Sequence, residues 1–314
     1  MSQLANRALL SGFLLAAVVL VAPTPAMSVT PADPAVAEVA PPPITPAPDT
    51  TAPQAAPTPD LALTAPEPQP ARPDYAAAML EAAKGAVPNG ITFGMAVLDL
   101  QTGQLATTGS EQFYSASLSK LMLVVDMLDR DVPLTSTDHR LITQALSASD
   151  DDAMNSLWIK FDGYNAMTRV ATSLGMADTR TTADRSQWGE VVVSPADFAR
   201  LYQHIMNEMT DDDEAVIETA LSAATPEAAD GFDQYFGLLG GALKAFAKQG
   251  WMYYGNRLYL HSAGVVMNGA DSYAVVLMST QPPSSGPARA NLTSIAASMQ
   301  QAMTSTEAQT QGMK

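Results

Sequence analysis

Apolar and polar positions along this chain fall into three regimes. Ala8 to Ala22 is an apolar run broken only by Ser11 and Gly12, with Arg7 ahead of it and Thr24-Pro25-Ala26 behind. A basic start, a short apolar stretch and small residues at its end predict an export signal over residues 1–26. The run is short for a span of about 20 residues, and an uncleaved membrane anchor is the other reading. From Pro23 to Pro73 the periodicity vanishes: 16 of the 23 prolines lie there among Ala, Thr, Asp and Glu. Proline removes backbone donors and fixes φ, and large apolar side chains are scarce, so no core can form. Residues 27–73 are expected to be a disordered, partly polyproline-II linker.

Regular periods begin at Asp74. Residues 75–86 read as a helix, 91–100 as an alternating strand, and Gln101-Thr102-Gly103-Gln104 as a turn into a second short strand. The middle is helical over 118–130, 137–147, 150–160, 164–174, 195–209 and 213–223. Three β-like runs return at 247–254, 258–267 and 272–279, separated by the hairpin signals Tyr254-Gly255-Asn256 and Asn268-Gly269-Ala270-Asp271. A helix over 291–303 closes a domain of residues 74–304, and 305–314 reads as a disordered tail. Strands at both ends with helices between predict an α+β fold: one antiparallel sheet of about five strands, covering helices and an inserted helical subdomain.

Composition narrows the chemistry. Of 314 residues 47% are hydrophobic, enough for a large core, and the net charge of −16 argues against a nucleic-acid partner, which needs a basic face. The absence of cysteine removes disulfides, a thiol nucleophile, thiolate zinc sites and a cysteine for lipid attachment. His139, His204 and His261 form no metal-binding spacing, so neither metal nor cofactor is expected. His261, in a β-like run, reads as structural.

The helix from Leu118 is apolar almost all round, through Leu121, Met122, Leu123, Val124, Val125, Met127 and Leu128, which is the pattern of a buried helix. Lys120 then sits in its first turn, where the helix dipole is positive and desolvation disfavours an ammonium. Ser117 stands three residues earlier, close enough on one face for the two side chains to meet. A lysine with a lowered pKa can take the hydroxyl proton and leave Ser117 nucleophilic. The helix N-terminus adds positive potential for an incoming carbonyl. The plain alternative makes Ser117 a helix cap and Lys120 a snorkelling cation.

Two further segments bear on that choice: Ser149-Asp150-Asp151 in the helical middle, and Lys248-Gln249-Gly250 at the start of a C-terminal strand. Alone, the first also reads as a helix cap with first-turn acids and the second as an ordinary strand edge. Together, SLSK, SDD and KQG resemble the ordered SxxK, SDN and KTG set of class A β-lactamases and penicillin-binding proteins. The resemblance runs from about Asp74 to Thr304 and implies a β-lactamase/transpeptidase-like fold. It makes Ser117 the acylated serine, Lys120 its proton acceptor and Ser149 the relay toward the leaving nitrogen. Asp151 takes the place of an asparagine that bonds the substrate's side-chain amide. Lys248 attracts the substrate carboxylate and supports Ser149, Gly250 and Trp251 join it in binding substrate, and the amides of Ser117 and Trp251 form the oxyanion hole. Three departures stand out. Asp151 adds a carboxylate that repels anionic substrates, Gln249 replaces a threonine, and residues 176–190 lack the ExxLN glutamate that drives deacylation, with Glu190 the one glutamate in that loop.

The resulting expectation is an exported, secreted or envelope-associated monomeric serine hydrolase. It forms an acyl-enzyme on a β-lactam, peptidoglycan peptide or related small-molecule amide or ester, and turns over β-lactams poorly. It meets a membrane only through residues 1–26 if they are retained. The alternative is a catalytically inactive envelope protein of the same fold that binds its ligand.

Overall fold

A computed structural model describes residues 74–312, with side chains to residue 306. The expected signal (1–26) and linker (27–73) lie outside the described residues. Helix α1 (Tyr75–Ala86) leads into β1 (Thr92–Asp99) and β2 (Leu105–Thr107). A two-residue strand β3 (Phe113–Tyr114) and a 3₁₀ turn (Ala116–Leu118) precede α2 (Ser119–Asp129), α3 (Ser136–Ser147), α4 (Asp151–Lys160) and α5 (Gly163–Ser173). A second 3₁₀ turn (Trp188–Glu190), β4 (Val192–Val193), α6 (Pro195–Asn207) and α7 (Asp211–Ser222) complete the middle. The hairpins β5 (Lys244–Tyr254), β6 (Arg257–Asn268) and β7 (Asp271–Gln281) then lead to α8 (Ser285–Gly312).

Five strands from the two ends of the domain form one antiparallel sheet in the order β2-β1-β7-β6-β5. Its two faces carry separate cores. Ala96 and Leu98 of β1, with Ala274, Val276 and Met278 of β7, pack toward α2 and the inserted helices. Their neighbours Met95, Val97, Tyr273, Val275 and Leu277 pack beneath α1 and α8. Because successive side chains alternate faces and both faces are covered, these strands are apolar at nearly every position. The alternation expected over 91–100 is accordingly absent from the buried part of β1. Helix starts follow the expected chemistry: Ser194 accepts from Asp197 N and Pro195 occupies the first turn of α6.

The pattern and the structure part at the ends of elements. Helix α8 begins six residues before the expected Asn291, because a proline in the first turn, Pro287, costs no intrahelical donor. It also continues through residues expected as a tail, a Ser/Thr/Glu/Ala/Gln stretch with no helix breaker before Gly312. The pairing of β3 with β4, Phe113 opposite Val193 and Tyr114 opposite Val192, was not anticipated. Two residues are too few to carry a period.

Candidate active site

The approach to Ser117 is fixed before its helix starts. Strand β3 is held by β4, Ser115 N donates to Val191 O at 2.6 Å, and His261 Nε2 lies 2.8 Å from Tyr114 O. Burial pushes the His261 pKa down to about 4, so the ring is neutral: Nε2–H donates to Tyr114 O, and Nδ1 accepts from Ser279 N at 3.3 Å. This imidazole belongs to the support of β3. The chain then bends through Ala116 in the left-handed region, φ 47°. Ser117 caps no helix and sits in the 3₁₀ turn with its side chain at the floor of a cleft.

Lys120 is buried in the first turn of α2, every residue of which from Ser119 to Leu128 is buried. Its Nζ lies 2.8 Å from Ser117 Oγ, 2.9 Å from Ser149 O, 3.4 Å from Ser149 Oγ and 2.6 Å from Asp151 Oδ1. Burial lowers its pKa, against the opposing pull of the Asp151 carboxylate. Lys120 therefore does not snorkel.

Ser149 and Asp151 come from the corner between α3 and α4. Asp150 caps α4 by accepting from Ala153 N, and Asp151 and Asp152 occupy its first turn, so the helix-start reading of this segment is also correct. Just before it, Ser149 adopts φ 52°, which turns both its carbonyl and its hydroxyl toward Lys120. Among the described residues four non-glycine positions have positive φ: Ala116, Asp131, Ser149 and Asp162. Aspartate tolerates that region; alanine and serine pay for it in strain, and both strained residues flank the site. The corner is held from the far side by Thr225 N and Gln234 Nε2 on Ser147 O and by Ala229 N on Ala148 O.

Lys248 reaches the same point from β5. Its Nζ is 2.9 Å from Ser149 Oγ and 2.8 Å from Gln249 O, and it is fully buried. Burial, then the charge of Lys120, holds its pKa well below that of an ordinary lysine. Gly250 explains how the edge strand comes so close. A Cβ there would sit 3.1 Å from Ser115 O and 3.2 Å from Leu118 Cγ, so the turn carrying Ser117 packs directly on this residue. Gln249 points to the other face, where its Nε2 donates to Gln234 O and Phe236 O. The departure from threonine thus lies away from the cleft.

The cleft above these groups has a volume of about 560 Å³. Ser117 and Asp151 lie in its lining with Trp188, Asp230, Phe232 and Trp251. Trp251 stacks on Phe232 with centroids 4.6 Å apart, and its Nε1 donates to Asp230 Oδ2 at 2.9 Å. Asp151, expected to meet substrate, is first of all the ion-pair partner of Lys120. Glu190 does not line the cleft. The residue of that loop which does face the lysine is Trp188: its ring centroid lies 4.5 Å from Lys120 Nζ, and its Nε1 donates to Asn155 Oδ1 at 2.9 Å. Neither Trp188 nor Asp230 was singled out from the sequence. An indole inside a polar, glycine-containing loop is the signal that was available. Among the described residues no cluster of His, Asp and Glu could hold a metal ion.

Residues 127–303, more than half of the chain, match the model of the family described as "Beta-lactamase enzyme family"; the match begins after Ser117 and Lys120. A relative from Mycobacterium tuberculosis named "Putative lipoprotein LppW" is 33% identical over 214 residues, spanning 65% of this chain and 68% of its own. Among solved structures, a class A beta-lactamase from Bacteroides cellulosilyticus superposes with a TM-score of 0.63 at 13% identity, covering 74% of this chain and all of that one. A beta-lactamase from Sphaerobacter thermophilus gives 0.56 at 17%, covering 72% and 96%. These last two establish a β-lactamase-like fold.

Proposed function

Because this chain belongs to the beta-lactamase enzyme family, we propose that it is a serine acyl-transfer enzyme of the cell envelope that forms an ester at Ser117 with a β-lactam, a peptidoglycan peptide or a related amide. The observation that carries this reading is the run of contacts from Ser117 Oγ to Lys120 Nζ at 2.8 Å, on to Ser149 Oγ at 3.4 Å and then Lys248 Nζ at 2.9 Å, in a buried setting. Neutral Lys120 takes the Ser117 proton as Oγ attacks the carbonyl carbon. The carbon–nitrogen bond then breaks, and the proton passes through Ser149 to the leaving nitrogen. Lys248 donates to Ser149 Oγ from behind and so orients that hydroxyl for the relay. The backbone amides of Ser117 and Trp251, on the turn and the edge strand that meet at Gly250, are the donors assigned to the oxyanion.

Envelope association draws on the relative's name, and in this chain it rests on residues 1–26, since no cysteine is present. No described helix is long and apolar enough to cross a membrane.

One observation favours the inactive binding protein as a second reading: Asp151 faces Lys120 at 2.6 Å and favours the ammonium, which is no base. Intact-protein mass spectrometry after incubation with a penicillin separates the two. A covalent adduct present in the wild type and absent in Ser117→Ala is the expected result. No adduct with any of several β-lactams leaves the binding protein.

A further inference from the structure

We propose that Trp188 keeps hydrolytic water away from the ester on Ser117, so that the acyl group outlives the reaction that forms it. The inference rests on acylation of Ser117 as proposed above. Hydrolysis requires a water oxygen to bond the ester carbon as the bond to Ser117 Oγ breaks. One proton must leave the water and arrive on Ser117 Oγ, and a base beside the water normally carries it. The space where such a water would touch Lys120 is covered by the Trp188 ring.

That ring is pinned. Its Nε1–H is spent on Asn155 Oδ1 from α4, and the ring packs against the main core. The next residue, Gly189, abuts the turn carrying Ser117, since a Cβ built on it would lie 3.7 Å from Ala116 Cα. Indole offers one donor and no acceptor, so it cannot take a proton from water. Both carboxylates lining the cleft are already engaged through one oxygen, and neither belongs to this loop. Asp151 Oδ1 is paired with Lys120, and Asp230 Oδ2 accepts from Trp251 Nε1. Glu190 stands outside the cleft lining. The loop therefore presents a water-excluding plate where a hydrolase needs a base.

The test is the lifetime of the Ser117 adduct after excess β-lactam is removed, followed by intact mass. Trp188→Ala should shorten it about tenfold, and Trp188→Glu, which adds a base, by about 10²-fold or more. Trp188→Phe keeps a plate and should leave the lifetime near that of the wild type. Asn155→Ala releases the indole without deleting it and should shorten the lifetime, a readout that survives if Trp188→Ala fails to fold. Glu190→Gln should change nothing. Lifetimes equal to wild type in the Ala, Glu and Asn155 variants would overturn the proposal, as would a longer lifetime in Glu190→Gln, which would make that carboxylate the base. If no adduct forms in any variant, acylation of Ser117 itself is refuted and this inference falls with it.

Discussion

Asp151→Asn changes one thing at the centre of the site: it keeps an acceptor facing Lys120 and removes a negative charge. Unit charges about 4 Å apart attract by about 1 kcal/mol in water and about 4 kcal/mol at an effective dielectric of 20. Lys120 is fully buried, but the Asp151 side chain is 62% exposed. Solvent screening pulls the interaction toward the lower end, roughly 1–2 kcal/mol. An effect of that size shifts a proton equilibrium about 5- to 30-fold. The sign is fixed: an opposite charge favours the ammonium, so its loss lowers the Lys120 pKa and raises the fraction of neutral base at any pH below it. The acylation burst measured by stopped flow with a chromogenic cephalosporin should therefore quicken at neutral pH, by up to that factor. The acid limb of its pH profile should move to lower pH. The charge of Lys120 acts on Lys248, so the limb belongs to the pair of lysines. An acid limb that stays in place, or moves to higher pH, in a variant that still folds would refute the claim that Asp151 restrains the lysine.

Gly250→Ala places a methyl 3.1 Å from Ser115 O, a backbone atom that cannot swing aside. The cost should be about 1–3 kcal/mol in urea unfolding, with a slower acylation burst. Unchanged values of both would mean that strand and turn are not in close register. His261, held near pKa 4 against 6.5 when unfolded, should contribute stability in full above pH 6.5 that is lost as the pH falls through about 4, roughly 3 kcal/mol in all. Denaturant midpoints down this range should fall more steeply in the wild type than in His261→Gln. His204 has the opposite sign. Hydrogen bonding to Asp129 raises it to about 8, so its contribution is present below pH 6.5 and lost as the pH rises through about 8. His204→Ala should remove that loss.

What the sequence reveals about the site depends on how far apart its parts lie. Ser117 and Lys120 share a helical turn, so their meeting follows from spacing and from the apolar surround of α2. The Asp151–Lys120 ion pair and the Trp188 plate span long stretches of chain, and only the packed fold brings them together. The family resemblance made Asp151 a substrate contact. In the structure it turns first to the lysine. Gln249 read as a change in the binding motif, yet strand alternation sends it to the opposite face, a consequence of period two that could have been drawn at the outset. The terminal strands and the helical middle were legible because their patterns are long. β3 and β4 were not, being two residues each and defined only by one another.

The left-handed backbone at Ser149 has an evolutionary reading. Glycine would relieve about 1–2 kcal/mol of strain at that angle, and the corner would keep its hydrogen bonds through Ser147 and Ala148. It would lose only the hydroxyl between the two lysines. Stability and the proposed proton relay therefore ask for different residues at one position, and drift toward a sturdier fold would pass through loss of that hydroxyl.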